Sequence, residues 1–122
     1  MEEKLEKLYK ECIDELGKID IHILDEKTYG KMDINLSSKS PKRYGCCKQS
    51  EPLSTYYHIE YRNHRRIKIY DVFMKHSIEI SKWVLELNDD IIKNTIMHEL
   101  IHCLPYCNNH GKEFKKYAEF IN

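Results

Sequence analysis

The chain has 122 residues, a length typical of one compact domain, which we expect to span residues 1–122. Hydrophobic residues make up 41% of it and charged residues 33%, and no apolar run approaches the length of a transmembrane helix. Charged residues follow Met1 directly, unlike the apolar core of a signal peptide, so we expect a cytoplasmic protein with reduced cysteines and no membrane partner.

The charges are unevenly spread, although the formal net charge is zero. Residues 39–76, the basic segment, carry nine basic and three acidic side chains, a net charge of +6. Such a segment could contact the phosphates of DNA. It could equally be a solvated strand surface whose cations protect a sheet edge. Composition leaves both interpretations open.

The first third of the chain predicts one clear helix. Apolar residues recur at three- and four-residue steps from Leu5 to Leu16, and Gly17 suits the C-terminal end of that helix. Residues 18–24 are predicted as a short strand or a connector. Residues 25–41 are predicted mostly as loop, with 32–36 extended.

Strand-like runs follow at 42–48, 56–62, 66–70 and 76–81, and 62–65 is predicted as the turn of a hairpin. Gly45 inside the first run suggests a bulge or a close backbone approach.

Two helices are predicted near the end of the chain. Asn88 is a good N-cap for a helix over 89–104 that stops before Pro105, and a last helix begins near residue 110 or 111. The order predicts an α+β domain: an N-terminal helix, a small antiparallel sheet of three or four strands, a helix carrying the candidate site, and a C-terminal helix.

The candidate site is the stretch His98-Glu99-Leu100-Ile101-His102. Residues four apart lie one turn apart on a helix, so both imidazoles can reach one metal ion, while Leu100 and Ile101 point into the core. The pattern predicts a Zn²⁺ site in which Glu99 accepts a proton from the attacking water during peptide hydrolysis.

The third zinc ligand is assigned to His110, because Pro105 ends the helix and the following residues let the chain turn back. Glu113 and Glu119 are the carboxylate alternatives. A thiol site at Cys103 and Cys107 is also considered, but structural zinc sites usually need two cysteine pairs and no second pair follows. The remaining histidines (His22, His58, His64 and His76) are expected on the surface or in strands.

Residues 94–102, followed by His110-Gly111-Lys112-Glu113-Phe114, resemble the SprT-like family of zinc metallopeptidases, which includes Spartan-type proteases that degrade proteins crosslinked to DNA. Tyr44-Gly45-Cys46-Cys47 and residues 77–81 resemble that family upstream of the helix. The resemblance implies a minimal zincin-like core, three histidine ligands, a glutamate base and protein substrates associated with DNA.

Two departures weaken the DNA role more than the zinc site. Many family members continue into a zinc ribbon or DNA-binding segment, whereas this sequence stops at Asn122, and the spacing from His102 to His110 is short. Two alternatives therefore stay open: a zinc peptidase with no DNA role, and a non-catalytic zinc-containing binding module. A fourth protein ligand such as Cys103 or Cys107 would favour the second.

Overall fold

Helices near both ends of the chain enclose five strands. The computed structural model describes residues 2–37, 42–107 and 111–121, without the side chains of Phe120 and Ile121. The helices are α1 (Glu3–Gly17), α2 (Glu26–Tyr29), a 3₁₀ turn (Lys82–Glu86), α3 (Asp89–His102) and α4 (Lys112–Ile121). The strands are β1 (Lys31–Ser37), β2 (Gly45–Pro52), β3 (Tyr57–Arg62), β4 (Arg65–Tyr70) and β5 (Phe73–Ser81).

The strands form two separate sheets. In the first, β5 lies between β1 and β2, parallel to β1 and antiparallel to β2, with Ile78 opposite Ile34 and His76 opposite Gln49. The second is the β3–β4 hairpin. Its turn places Asn63 and His64 in the left-handed region, at φ 51° and 64°. The predicted α+β architecture is confirmed, with one detail added: the main sheet is mixed rather than wholly antiparallel.

The core lies between the main sheet and the helices. Fully buried apolar side chains come from every third or fourth position of α1 and α3 and from alternate positions of β5; they include Leu5, Leu16, Ile92, Ile96, Leu100, Ile78 and Ile80. These spacings place each set on one face of its element. None of the buried apolar side chains in the described part of the chain belongs to β3 or β4.

Local signals explain where the helices begin. The Asn88 side chain accepts a hydrogen bond from the Ile91 amide at 3.0 Å, so the predicted N-cap of α3 is confirmed. Asp25 caps α2 in the same way, through the Lys27 amide at 3.2 Å. Residues 18–24 form a connector rather than a strand. No helix within the described ranges has the length and apolar character that crossing a membrane requires.

Candidate metal centre

The packing of α3 fixes which way the candidate site faces. Leu100 and Ile101 are 0% and 3% exposed, as predicted, so the middle of the motif is held in the core. His98 is exposed and His102 is half-buried, one turn further along the helix. The rotation of α3 therefore directs both imidazoles away from the core and towards the same side.

The two imidazoles lie edge to face, with ring centroids 4.9 Å apart and an interplanar angle of 78°. His102 Nδ1 is 2.8 Å from the Cys107 carbonyl oxygen. A carbonyl only accepts hydrogen bonds, so Nδ1 carries the proton and Nε2 is the basic nitrogen. A backbone carbonyl on one ring nitrogen is the usual support for a histidine that binds metal through the other.

Phe114 ties α4 to the histidine pair. Its ring centroid is 5.0 Å from that of His98 and 4.7 Å from that of His102, and the side chain is buried. This contact restricts both imidazoles and covers one side of the pair. The N-terminal turn of α4, which starts at Lys112, is therefore held beside the two histidines.

Glu99 is buried although it is a carboxylic acid, with 6% of its surface exposed. Burial raises its pKa to about 7; the neighbouring Cys47 sulfur raises it further and Arg43 opposes the shift. A carboxyl group that exchanges its proton near neutral pH is suited to general acid–base chemistry.

A cleft of ≈ 450 Å³ opens beside this carboxyl group. It is lined by His98 and Glu99 on α3 and by Arg43, Tyr44 and Gly45, where the chain enters β2. β2 pairs with β5 along one side and is an edge strand of the main sheet within the described residues. The cleft thus lies between an edge strand and the motif helix.

Not all the predicted ligands can be placed. His110 lies outside the described residues, so its assignment stays a prediction. Glu113 and Glu119 are exposed on α4. Three side chains that could share a metal ion have ligand atoms that all lie within 4.8 Å of one another. In the described part of the chain, neither Glu113 nor Glu119 meets this criterion together with His98 and His102.

A different group does meet that criterion: Cys47, His76 and Cys103, which could hold a metal ion. The sequence suggests Cys103 with Cys107 as a thiol site and predicts His76 on the surface or in a strand. His76 lies in β5, and only 2% of its surface is exposed. The alternation of His76, Ile78 and Ile80 along β5 was the signal that could have shown its burial. The antiparallel pairing of β2 with β5 brings Cys47 close to His76.

The chain matches one known protein family. The family model described as SprT-like family matches residues 9–122, which is nearly the whole chain. The curated proteins include no match to the chain.

Proposed function

Because the chain belongs to the SprT-like family, we propose that it is a zinc-dependent endopeptidase with His98 and His102 as metal ligands and Glu99 as the proton acceptor. The observation that carries the proposal is the buried Glu99 carboxyl group, which lines an open cleft together with His98. His110 is proposed as the third ligand on sequence grounds.

The donor set suits zinc. Catalytic zinc sites usually combine three protein ligands, commonly histidines, with one position left for water or substrate. The hydrogen bond from His102 Nδ1 to Cys107 orients that ring with its basic nitrogen at Nε2. A bound zinc ion would lower the pKa of a water molecule and polarise the substrate carbonyl.

Glu99 would hold and move the proton. With a pKa of about 7, the carboxyl group is readily ionised near neutral pH. A cation nearby favours the ionised form of a carboxyl group, which sharpens its role as a base. The Glu99 carboxylate would accept the proton of the attacking water and return it to the leaving amine.

The edge strand β2 would position the substrate. Its start, at Gly45, lines the cleft opposite Glu99, and an edge strand exposes backbone groups to which an extended peptide can hydrogen-bond. This arrangement favours a polypeptide substrate, recognised through its main chain, over a small molecule.

The proposal is tested with Glu99→Gln, which keeps the size of the side chain and removes the base. Cleavage of a denatured, fluorescently labelled protein should fall by a factor of about 10²–10⁴. Bound zinc, measured by elemental analysis, should stay at the wild-type level. Glu113→Gln, on the exposed surface of α4, is the matched control and should cleave normally. Wild-type activity in Glu99→Gln would exclude Glu99 as the base.

The assignment of His110 needs its own comparison. His110→Ala should lose activity together with the zinc equivalent of this centre, whereas Glu113→Ala and Glu119→Ala should keep both. A zinc content in His110→Ala as high as in the wild-type protein would remove this residue from the ligand set. Stoichiometric zinc in a wild-type protein that cleaves none of a panel of unfolded proteins would favour the alternative of a non-catalytic binding module.

A DNA-associated substrate is the second part of the proposal, and the β3–β4 hairpin supports it. One face of this hairpin, the tyrosine face, consists of Tyr57, Ile59, Tyr61, Arg66, Lys68 and Tyr70, by alternation and cross-strand register. Lys68 Nζ lies 4.3 Å from the Tyr57 ring centroid, as expected for neighbours on one face. Tyr61 is 74% exposed.

The one acidic residue of the hairpin, Glu60, lies on the other face. Glu60 contacts both His58, at 2.7 Å, and Arg62, at 2.8 Å. The tyrosine face therefore combines cations with exposed aromatic rings and carries no carboxylate. Bases stack on aromatic side chains and phosphates pair with cations in proteins that bind single-stranded nucleic acid.

Binding of labelled single- and double-stranded oligonucleotides across a salt series tests the DNA role. We expect single strands to bind more tightly, with an affinity that falls steeply as salt rises. Arg66→Ala should weaken binding and reduce the salt slope by about 1, whereas Arg62→Ala, whose charge is paired with Glu60, should change it little. Negligible binding at low salt would leave a zinc peptidase with no DNA role.

A further inference from the structure

Three soft or borderline metal ligands converge on the side of the main sheet that faces α3. Cys47 comes from β2, His76 from β5 and Cys103 from the C-terminal end of α3. One ligand atom from each lies within 4.8 Å of the other two. His76 and Cys103 are buried, and Cys47 is half-buried. None of the three belongs to the site proposed for catalysis.

The spacing of the sulfurs indicates what this group could hold. Cys47 Sγ and Cys103 Sγ are 3.5 Å apart. Two thiolates bound tetrahedrally to one zinc ion, at Zn–S distances of about 2.3 Å, are separated by about 3.8 Å. A disulfide requires about 2.05 Å. The observed separation is therefore close to that of a shared metal and far from that of a covalent bond.

His76 is oriented as a ligand of such a site would be. Its Nε2 lies 2.9 Å from the Tyr29 carbonyl oxygen and must donate to it, so Nδ1 is the basic nitrogen. Gln49 Nε2 lies 3.0 Å from Nδ1 and 3.1 Å from the His102 carbonyl oxygen. A cation bound to Nδ1 would displace only the first of these contacts, and the Gln49 amide would stay anchored on His102.

We propose that Cys47, His76 and Cys103 form a second, structural metal site for a thiophilic cation, with Zn²⁺ as the expected occupant. Two sulfurs and one imidazole select Zn²⁺ or Cu⁺ over the hard cations Mg²⁺ and Ca²⁺. Binding Zn²⁺ releases the two thiol protons to solvent, and the two thiolates formed balance the charge of the ion. The buried site therefore stays electrically neutral, which limits the cost of burial.

The position of the site gives it a structural role. It would join β2, whose start lines the cleft, to the end of the helix that carries His98, Glu99 and His102. Occupancy would hold the two walls of the cleft at a fixed separation. This role does not depend on the protein being a peptidase, because it concerns only the packing of β2 against α3.

Cobalt provides a test independent of activity. Co²⁺ is titrated into the metal-free, reduced full-length protein, and thiolate-to-cobalt charge-transfer absorption is recorded. The proposed catalytic centre has only nitrogen ligands, so this signal reports the thiolate site alone. At saturation we expect the intensity of one thiolate-bound Co²⁺ per chain, and we expect the absorption to disappear when Zn²⁺ is added. It should persist in His98→Ala, which removes a ligand of the other centre.

Two single substitutions test which of the two neighbouring cysteines of β2 binds the metal. Cys47→Ser should abolish the absorption, whereas Cys46→Ser, the matched control, should keep it; Cys46 contacts Glu79 instead, at 3.8 Å. Absence of the absorption in the wild-type protein overturns the proposal, whether or not Cys47→Ser folds. An unchanged absorption in Cys47→Ser, or its loss in Cys46→Ser, overturns the assignment of ligands. If the wild-type protein shows the absorption but cleaves no protein substrate, the result counts against the proposed function and not against the second metal site.

Discussion

Gly45 lies at the contact between the edge strand and the base. A Cβ added there would lie 2.9 Å from the Glu79 carbonyl oxygen, 3.2 Å from Ile80 Cδ1 and 3.5 Å from Glu99 Cγ. The nearest of these atoms belongs to the backbone of β5 and cannot rotate away. The glycine therefore lets β2 approach β5 and Glu99 together, which is the close approach that its place in a strand predicted.

Gly45→Ala should consequently move β2 away from β5 and disturb Glu99. We expect the free energy of unfolding to fall by about 1–3 kcal/mol, the usual cost of overpacking, and kcat/KM to fall as well. Denaturant unfolding and cleavage assays measure the two effects. Gly17→Ala is the control, because its Cβ would meet only His22 Nδ1, at 3.9 Å. An unaltered stability in Gly45→Ala would show that the strands can adjust without cost.

His58 shows how the hairpin is joined to the domain. Its Nδ1 lies 2.8 Å from Asp71 Oδ1, and the Asp71 backbone carbonyl accepts a hydrogen bond from the Tyr106 amide at 3.1 Å. The hydrogen bond to Asp71, followed by that to Glu60, raises the pKa of His58 above its ordinary value. The histidine is thus more readily protonated in the folded protein than in the unfolded chain.

The sign of the resulting pH dependence follows. A raised histidine pKa contributes stability that is fully present below its unfolded pKa of about 6.5 and is lost as pH rises through the folded pKa. NMR titration should show the raised pKa falling towards its ordinary value in Asp71→Asn, and by a smaller amount in Glu60→Gln. If the pKa of His58 falls as much or more in Glu60→Gln, the hydrogen bond to Glu60, and not that to Asp71, is the larger cause of the raised pKa.

At the residue scale, local spacing predicts which side chains of α3 lie on one side, but it does not predict which side chains of the sheet come together. His98 and His102 lie one turn apart on one helix, so their spacing alone determines that they share a side. Cys47, His76 and Cys103 are brought together by the register of β2 on β5, in which Gln49 opposes His76 and Cys47 opposes Ile78. Pairing between segments that are distant in the sequence depends on how the whole core packs. The periodicity of a single segment therefore does not predict it.

Among the elements, α3 has the strongest local signals. Asn88 Oδ1 accepts the Ile91 amide, and Asp89 and Asp90 occupy the first turn, where the helix dipole favours negative charge. We expect Asn88→Ala to lower the free energy of unfolding by about 1 kcal/mol and Asn88→Asp to restore most of the loss. Thermal unfolding measures both. Equal stability in all three proteins would mean that core packing alone positions α3.

The strands and short elements were predicted less fully than α3. The runs that contain β3, β4 and most of β5 are strand-like in the sequence, whereas the parallel pairing of β1 with β5 is not predicted. A parallel pair needs a long crossover, here the chain from β1 through the hairpin, and no local turn specifies it. α2 has only four residues, too few for an apolar period to be recognised.

For the whole molecule, the hairpin within the basic segment and the core belong to different parts of the structure. The hairpin contributes none of the buried apolar residues in the described ranges, yet it carries four of the cations of the basic segment, namely Arg62, Arg65, Arg66 and Lys68. Its roots are already joined, because the Asp71 amide donates to the Tyr56 carbonyl at 3.0 Å. The fold should therefore survive without the hairpin.

Replacing residues 57–70 by Asn-Gly tests this separation. Tyr56 and Asp71 form a hydrogen-bonded pair, which a two-residue turn can close. Asp71→Asn is included so that no buried carboxylate loses its histidine. We expect the free energy of unfolding to change by less than about 1 kcal/mol, since shortening a loop has a small entropic effect. Zinc content and cleavage of unfolded protein should persist while oligonucleotide binding is lost. Loss of zinc together with the hairpin would show instead that the hairpin supports the metal centre, and the two functions would no longer be separable.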